Sequence, residues 1–133
     1  FTVANDSFRM QTSKIHVVGH GIDTEAFKPG MREVSIETRL VTSGRIAPTK
    51  HLIEMLRVLD VLFERGEKFT FTIIGKAVTH AEEKYELALR GEIQKRPFAD
   101  KINFSGGVSH QELPKLLNSQ DLFLNFSGTG NMD

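Results

Sequence analysis

Apolar residues in this chain recur with two different periods. Leu52, Met55, Leu56, Leu59, Leu62 and Phe63 fall three or four apart, which places them on one face of a helix. Phe69, Phe71 and Ile73 alternate with Thr70 and Thr72, the two-residue period of a strand. Around these two segments the pattern predicts further elements. Strands are expected over Lys14 to Val18, Leu40 to Ser43, Lys101 to Ser105 and Asp121 to Phe126. Thr24 to Glu37 has little period and contains Pro29 and Gly30, so it reads as loop with one short turn. Thr49 is the expected cap of the first helix, and Gly66 suits the left-handed position after it. Thr79 and Glu82 have capping-box spacing and open a second helix of about 16 residues. Tyr85, Leu89 and Ile93 form its buried stripe, Gly91 weakens it, and Pro97 stops it. Ser109 and Glu112 share the capping-box spacing, but Pro114 would then interrupt the helix. A tight turn at His110 to Glu112, with Pro114 near the first helical position, removes the conflict. Leu113, Leu116 and Leu117 then face inward.

Strands and helices therefore alternate. Gly44, Gly75 and Gly106 recur at intervals of 31 positions, the length of a strand–helix–strand unit. Parallel strands require such crossovers, so the expected fold is α/β, a doubly wound, Rossmann-like parallel sheet. In open parallel sheets, ligands bind beyond the carboxyl ends of the strands. Here each of those ends carries glycine: Gly44, Gly75, Gly106 with Gly107, and Gly128 with Gly130. One glycine needs no more than a turn to explain it, whereas four consecutive ends on one edge point to a site. Arg45 leaves the first of these strands and Lys50 opens the next helix. A helix N-terminus with a guanidinium and an ammonium beside it attracts an anion, and a diphosphate is the natural occupant. Two solvated basic residues in a loop is the alternative. Neither the P-loop pattern nor Gly-x-Gly-x-x-Gly is present.

Composition narrows the function classes. At 39% hydrophobic and 26% charged, the chain is ordinary for a globular domain. Basic and acidic residues balance at 17 each, which argues against non-specific nucleic-acid binding. The absence of cysteine excludes disulfides and thiolate metal sites and permits a reducing compartment. No apolar run approaches the roughly 20 residues of a membrane span. His16, His20, His51, His80 and His110 are scattered over strands, turns and helix starts; His16 and His20 are four apart but belong to a strand and the turn after it rather than to one helix, so no metal site is expected. Glu82, Glu83 and Glu86 read as a cluster that favours a helix N-terminus rather than as a catalytic pair.

The order of motifs resembles the C-terminal domain of family-4 glycosyltransferases of the two-domain GT-B architecture. Gly21-Ile22-Asp23 with Phe27 and Pro29 resembles that family's GID…F.P segment. Ser43 to Ile46 followed by Lys50 resembles its GR…K motif, and Ile73-Ile74-Gly75 its second strand end. Phe104 to Val108 with Leu113 and Pro114 resembles F.G.V…LP, and Asp121 to Ser127 with Thr129 to Asp133 resembles the strand and loop preceding E-x7-E. Each motif is weak alone, while five in order are a strong signal.

The resemblance implies a nucleotide-diphosphate-sugar-binding domain of a retaining transferase acting on a lipid or glycan acceptor. Arg45 and Lys50 would hold the donor diphosphate and stabilise the leaving nucleoside diphosphate, with no metal or other cofactor. Gly44 belongs to the same site. Val108 would offer backbone contacts to the nucleobase, and Gly75 and Gly107 would let the base sit close. Thr129, Gly130, Asn131 and Met132 would form the loop around the donor sugar. The expected location is cytoplasmic, with peripheral association at the cytoplasmic face of the membrane. Residues 1–13 read as the remnant of an N-terminal acceptor-binding domain and linker. Residues 14–133 read as the donor domain, incomplete at its C-terminal end, so this stretch alone is expected to be inactive. The E-x7-E pair that follows the Thr129 to Asp133 loop in the family and most of the N-terminal domain are not in this sequence, and His51 stands where the family commonly has glycine. A non-catalytic α/β module binding a nucleotide or a protein is the second function class, and a GT-B-shaped epimerase or phosphorylase is a variant of the first. A glutamate pair at E-x7-E spacing is what separates transferase from module.

Overall fold

The computed structural model describes residues 21–31 and 33–128. The remnant expected over residues 1–13, the strand expected over Lys14 to Val18, His16, His20 and the loop Thr129 to Met132 lie outside the described residues. Four parallel strands form one sheet: β1 (Thr38–Ser43), β2 (Phe69–Ile74), β3 (Ile102–Gly106) and β4 (Leu122–Phe123). Three helices connect them: α1 (Leu52–Glu64), α2 (His80–Gln94) and α3 (Leu113–Asn118). The strand order is β3-β2-β1-β4, so the chain winds outward from β1 to β3 and then crosses back to the far side of β1. That reversal is the arrangement of a Rossmann-like sheet and creates a crevice at the carboxyl end of β1.

Register explains which residues are buried. Leu40 lies opposite Phe71 and Thr42 opposite Ile73, so these side chains share a face. On that face Leu40, Phe71 and Ile73 meet Leu52, Met55, Leu56 and Leu59 of α1 and Leu89 and Ile93 of α2, together with Phe98 and Ile102. Leu56, Leu59, Phe71 and Leu89 are fully buried, and each such side chain contributes about 1.5–3 kcal/mol by leaving water. The α1 stripe frays at its end, where Phe63 is half exposed although its ring still meets Phe98. Thr70 and Thr72 point to the other face, as their alternation with phenylalanine predicts. Near that face Leu117 of α3 lines a shallow groove with Val41 and Phe123. The sheet thus has helices on both sides, as a doubly wound fold requires.

Several sequence expectations change at element ends. Thr49 does not cap α1; it sits inside a 3-10 turn, Pro48–Lys50. Pro48 pre-sets that turn, Lys50 N–H donates to Ala47 O (3.0 Å), and His51 becomes the residue before the helix. The last strand spans two residues rather than six. β1 offers it partners at Leu40 and Val41, and the Asn125 side chain then accepts from Ser127 N–H (2.8 Å) and turns the chain. β1 starts two residues early because Thr38 N–H donates to Lys68 O (2.9 Å). The third strand also moves by one residue from the expected Lys101 to Ser105, because Lys101 closes a 3-10 turn, Ala99–Lys101, while the signals at Gly66, Thr79 and Pro114 hold. Gly66 has φ of 75°, α2 carries both bonds of the Thr79–Glu82 capping box, and Pro114 lies in the first turn of α3. Among the described residues no helix is long and apolar enough to cross a membrane.

Candidate functional site

The carboxyl ends of β1, β2 and β3 are joined by backbone bonds. Gly44 N–H donates to Ile74 O (3.0 Å), Gly75 N–H to Gly106 O (2.8 Å) and Ile46 N–H to Lys76 O (3.2 Å). Gly75 has φ of 145°, and a Cβ there would overlap the Gly44 carbonyl oxygen outright and stand 2.9 Å from its carbon. At this position glycine lets two strand ends touch each other. Gly107 differs, since a Cβ there would meet only the flexible Lys76 stem, with Cδ at 3.4 Å. Lys76 was not singled out by the sequence, because a lone lysine after a strand carries no signal of its own.

Arg45 follows Gly44 and precedes Ile46 and Ala47, both buried. That anchor leaves the Arg45 side chain at the edge of the sheet, 66% exposed. Lys50 closes the 3-10 turn and is half-buried. Burial first, and then the charge of Arg45, pull the Lys50 ammonium below its ordinary range. Arg45 and Lys50, five positions apart in sequence, thus share one junction, the first just after β1 and the second at the end of the 3-10 turn before α1. Like charges held together at the end of a strand and the start of a helix favour a polyanion.

The start of α1 is built differently from the sequence expectation. His51 adopts the left-handed conformation (φ 51°, ψ 40°) and makes no side-chain cap. Instead the Tyr85 hydroxyl of α2 accepts from Leu52 N–H (3.1 Å) and Ile53 N–H (3.4 Å). Those two amides are therefore already engaged, so attraction for an anion rests on the side-chain cations and the helix dipole. Burial pushes the Tyr85 phenol up, and the two amides draw it down. The sequence placed Tyr85 in a packing stripe, and nothing local indicates that its hydroxyl would cap another helix.

Glu82 reaches the same place from α2. One carboxylate oxygen, Oε2, accepts from Val78 N–H (2.8 Å) and Thr79 N–H (3.0 Å). The other, Oε1, is 3.4 Å from Arg45 Nη1. Those backbone bonds, chiefly Val78 then Thr79, hold the Glu82 carboxyl below the usual carboxylate range against the opposing effect of burial, and Arg45 adds to them. The capping box was legible in the sequence, whereas the pairing with Arg45 was not.

The remaining predicted positions lie nearby or outside the description. Val108 is half-buried on the loop after β3. His80 and His110 are exposed, as expected for first-turn and turn residues. The Gly21-Ile22-Asp23 segment has a physical role: Asp23 Oδ1 accepts from Glu25 N–H and Ala26 N–H (both 3.1 Å), forming a turn. That turn sets the Phe27 ring 5.3 Å from His110, beside the loop after β3. Asn118 of α3 completes the docking by accepting from Gly30 N–H (3.3 Å) and donating to Lys28 O (3.1 Å). An open groove of about 690 Å³ runs between this segment and α3, past Pro29, Met31, Pro114 and Asn118. None of the predicted site residues lines it. The cationic junction is marked by its chemistry and lies apart from this groove.

Comparison with known proteins bears on the family and the fold. The family model described as "Glycosyl transferases group 1" matches residues 23–129. No curated protein gives a significant match. Among solved structures, the C-terminal domain of LpcC, a glycosyl transferase group 1 family protein from Francisella tularensis, is similar at a TM-score of 0.68 and 21% identity. The match covers 80% of this chain and 59% of that one. Anabaena HepE, solved in complex with UDP and glucose, is similar at a TM-score of 0.65 and 18% identity, over 84% of this chain and 31% of HepE. The chain therefore spans about a third of one neighbour and about three fifths of the other.

Proposed function

Because this chain belongs to the group 1 glycosyl transferases, we propose that the carboxyl edge of its sheet holds the diphosphate of a nucleotide-sugar donor. The observation that carries this reading is the placement of Arg45 and Lys50 on one junction, between the end of β1 and the start of α1, where two like charges repel. A diphosphate relieves that repulsion. As the bond between sugar and diphosphate breaks, charge builds on the leaving phosphate, and two fixed cations stabilise it more than they stabilise the intact donor. Charge neutralisation thus falls to side chains. Gly44 leaves the phosphates room beside the backbone, Gly107 and Val108 border the nucleobase, and Thr129, Gly130, Asn131 and Met132 surround the sugar. HepE, which shares the fold, was solved with UDP and glucose, and this supports a nucleotide-sugar donor here. Transfer with retention, to a lipid or glycan acceptor at the cytoplasmic face of a membrane, completes the proposal. An N-terminal acceptor-binding domain would be the partner of this one, so this stretch alone binds donor and does not transfer.

The test is an amide NMR titration of the chain with UDP, GDP and ADP, repeated on Arg45→Ala. Shifts clustered at Gly44 to Lys50 and Gly106 to Ser109, lost in the variant, are expected, and the strongest responder identifies the base. Equal shifts in Arg45→Ala would refute the phosphate assignment.

A further inference from the structure

We propose that Glu82 gates this site: in the donor-free protein its carboxylate holds Arg45, and the incoming diphosphate displaces it. The inference rests on the donor-site reading above and adds a competing anion supplied by the protein itself.

The geometry distinguishes the fixed partner from the movable one. Glu82 sits in the first turn of α2 with its side chain only 9% exposed, whereas the Arg45 side chain is 66% exposed. Two backbone amides, Val78 N–H and Thr79 N–H, hold Oε2, so the carboxylate cannot follow an arginine that swings away. Only Oε1 is directed at Arg45, and it makes a single 3.4 Å ion pair without hydrogen-bond geometry. A guanidinium forms two parallel bonds to a phosphate, which also carries more charge than a carboxylate. Exchange therefore favours the phosphate once donor arrives, and Glu82 subtracts one charge from the attraction that Arg45 and Lys50 exert. The same carboxylate repels a phosphate that approaches from the α2 side, which directs the diphosphate toward α1. The loop at Val78 and Thr79 is coupled to the gate, since it supplies the bonds that keep Glu82 in place.

The test measures Kd for UDP, GDP and ADP by calorimetry at low ionic strength, on the whole gene product that carries this chain. Glu82→Gln is the informative variant, because glutamine keeps an oxygen for the capping bonds and removes the charge. Exposed ion pairs are weak, so the expected tightening is about two- to fivefold, and it vanishes when Arg45→Ala is also present. Unchanged or weaker binding by Glu82→Gln overturns the gate. If Arg45→Ala alone binds as tightly as the parent protein, or the parent protein binds none of the three, the donor-site reading fails and the gate with it. Should Glu82→Gln fold poorly, a carbon-13 titration of the Glu82 carboxyl in the unsubstituted protein serves instead. Saturating nucleotide should raise its pKa, since Arg45 departs and a phosphate arrives, and a constant or lower value refutes the exchange.

Discussion

Replacing Gly75 with alanine should be among the most damaging single-methyl additions in this domain. A Cβ at Gly75 would overlap the Gly44 carbonyl oxygen and lie 2.9 Å from its carbon, both backbone atoms that cannot rotate away. The residue also has φ of 145°, where an L side chain is strained by about 1–3 kcal/mol. Relieving the overlap means separating β1 from β2, which disrupts the bonds from Gly44 N–H to Ile74 O (3.0 Å) and from Ile46 N–H to Lys76 O (3.2 Å). Each is worth about 1 kcal/mol net, so the total loss is about 3–5 kcal/mol, out of the 5–15 kcal/mol typical of a whole domain. Gly91 provides the contrast: it lies inside α2 with open space around its Cα, so alanine there should add about 1 kcal/mol. Urea unfolding of the two variants and the parent, followed by circular dichroism, measures both. A loss below about 1 kcal/mol for Gly75→Ala, or equal losses at the two positions, would refute the steric argument.

Two further predictions follow from the caps and the titrating groups. Tyr85→Phe removes the acceptor for Leu52 N–H and Ile53 N–H and should cost about 1–2 kcal/mol in the same unfolding assay; an unchanged midpoint would mean that water replaces the hydroxyl without loss. Stability should also fall in acid. Glu82, Glu92 and Glu112 are held below the ordinary carboxylate range, by the Val78 and Thr79 amides, by Lys95 with Arg96, and by Ser109 respectively. Their contribution is complete above the unfolded value of about 4.3 and is lost as pH falls through their lower folded values. A thermal midpoint that stays flat from neutral pH down through that range would contradict these assignments.

The boundary between what the sequence determines and what it does not follows the distance over which each interaction acts. Helix and strand periods, the Thr79–Glu82 capping box, the left-handed Gly66 and the Pro114 start of α3 depend on residues a few positions apart, so the chain itself specifies them. The equal spacing of Gly44, Gly75 and Gly106 extended that reading to a parallel sheet, because a crossover must return to the same edge. Arg45 and Lys50 were legible as site candidates for the same reason: both belong to one short junction. Tertiary structure decided the rest. It set the order β3-β2-β1-β4, cut the last strand to Leu122–Phe123, and displaced the expected Thr49 cap. It also brought the Tyr85 hydroxyl to α1 and Glu82 to Arg45, across separations of more than 30 positions. Those contacts form only after two helices and a sheet have packed, and the direction of a side chain on a packed helix has no trace in local sequence. Sequence therefore determined where charge and turns lie, and packing determined which charges meet.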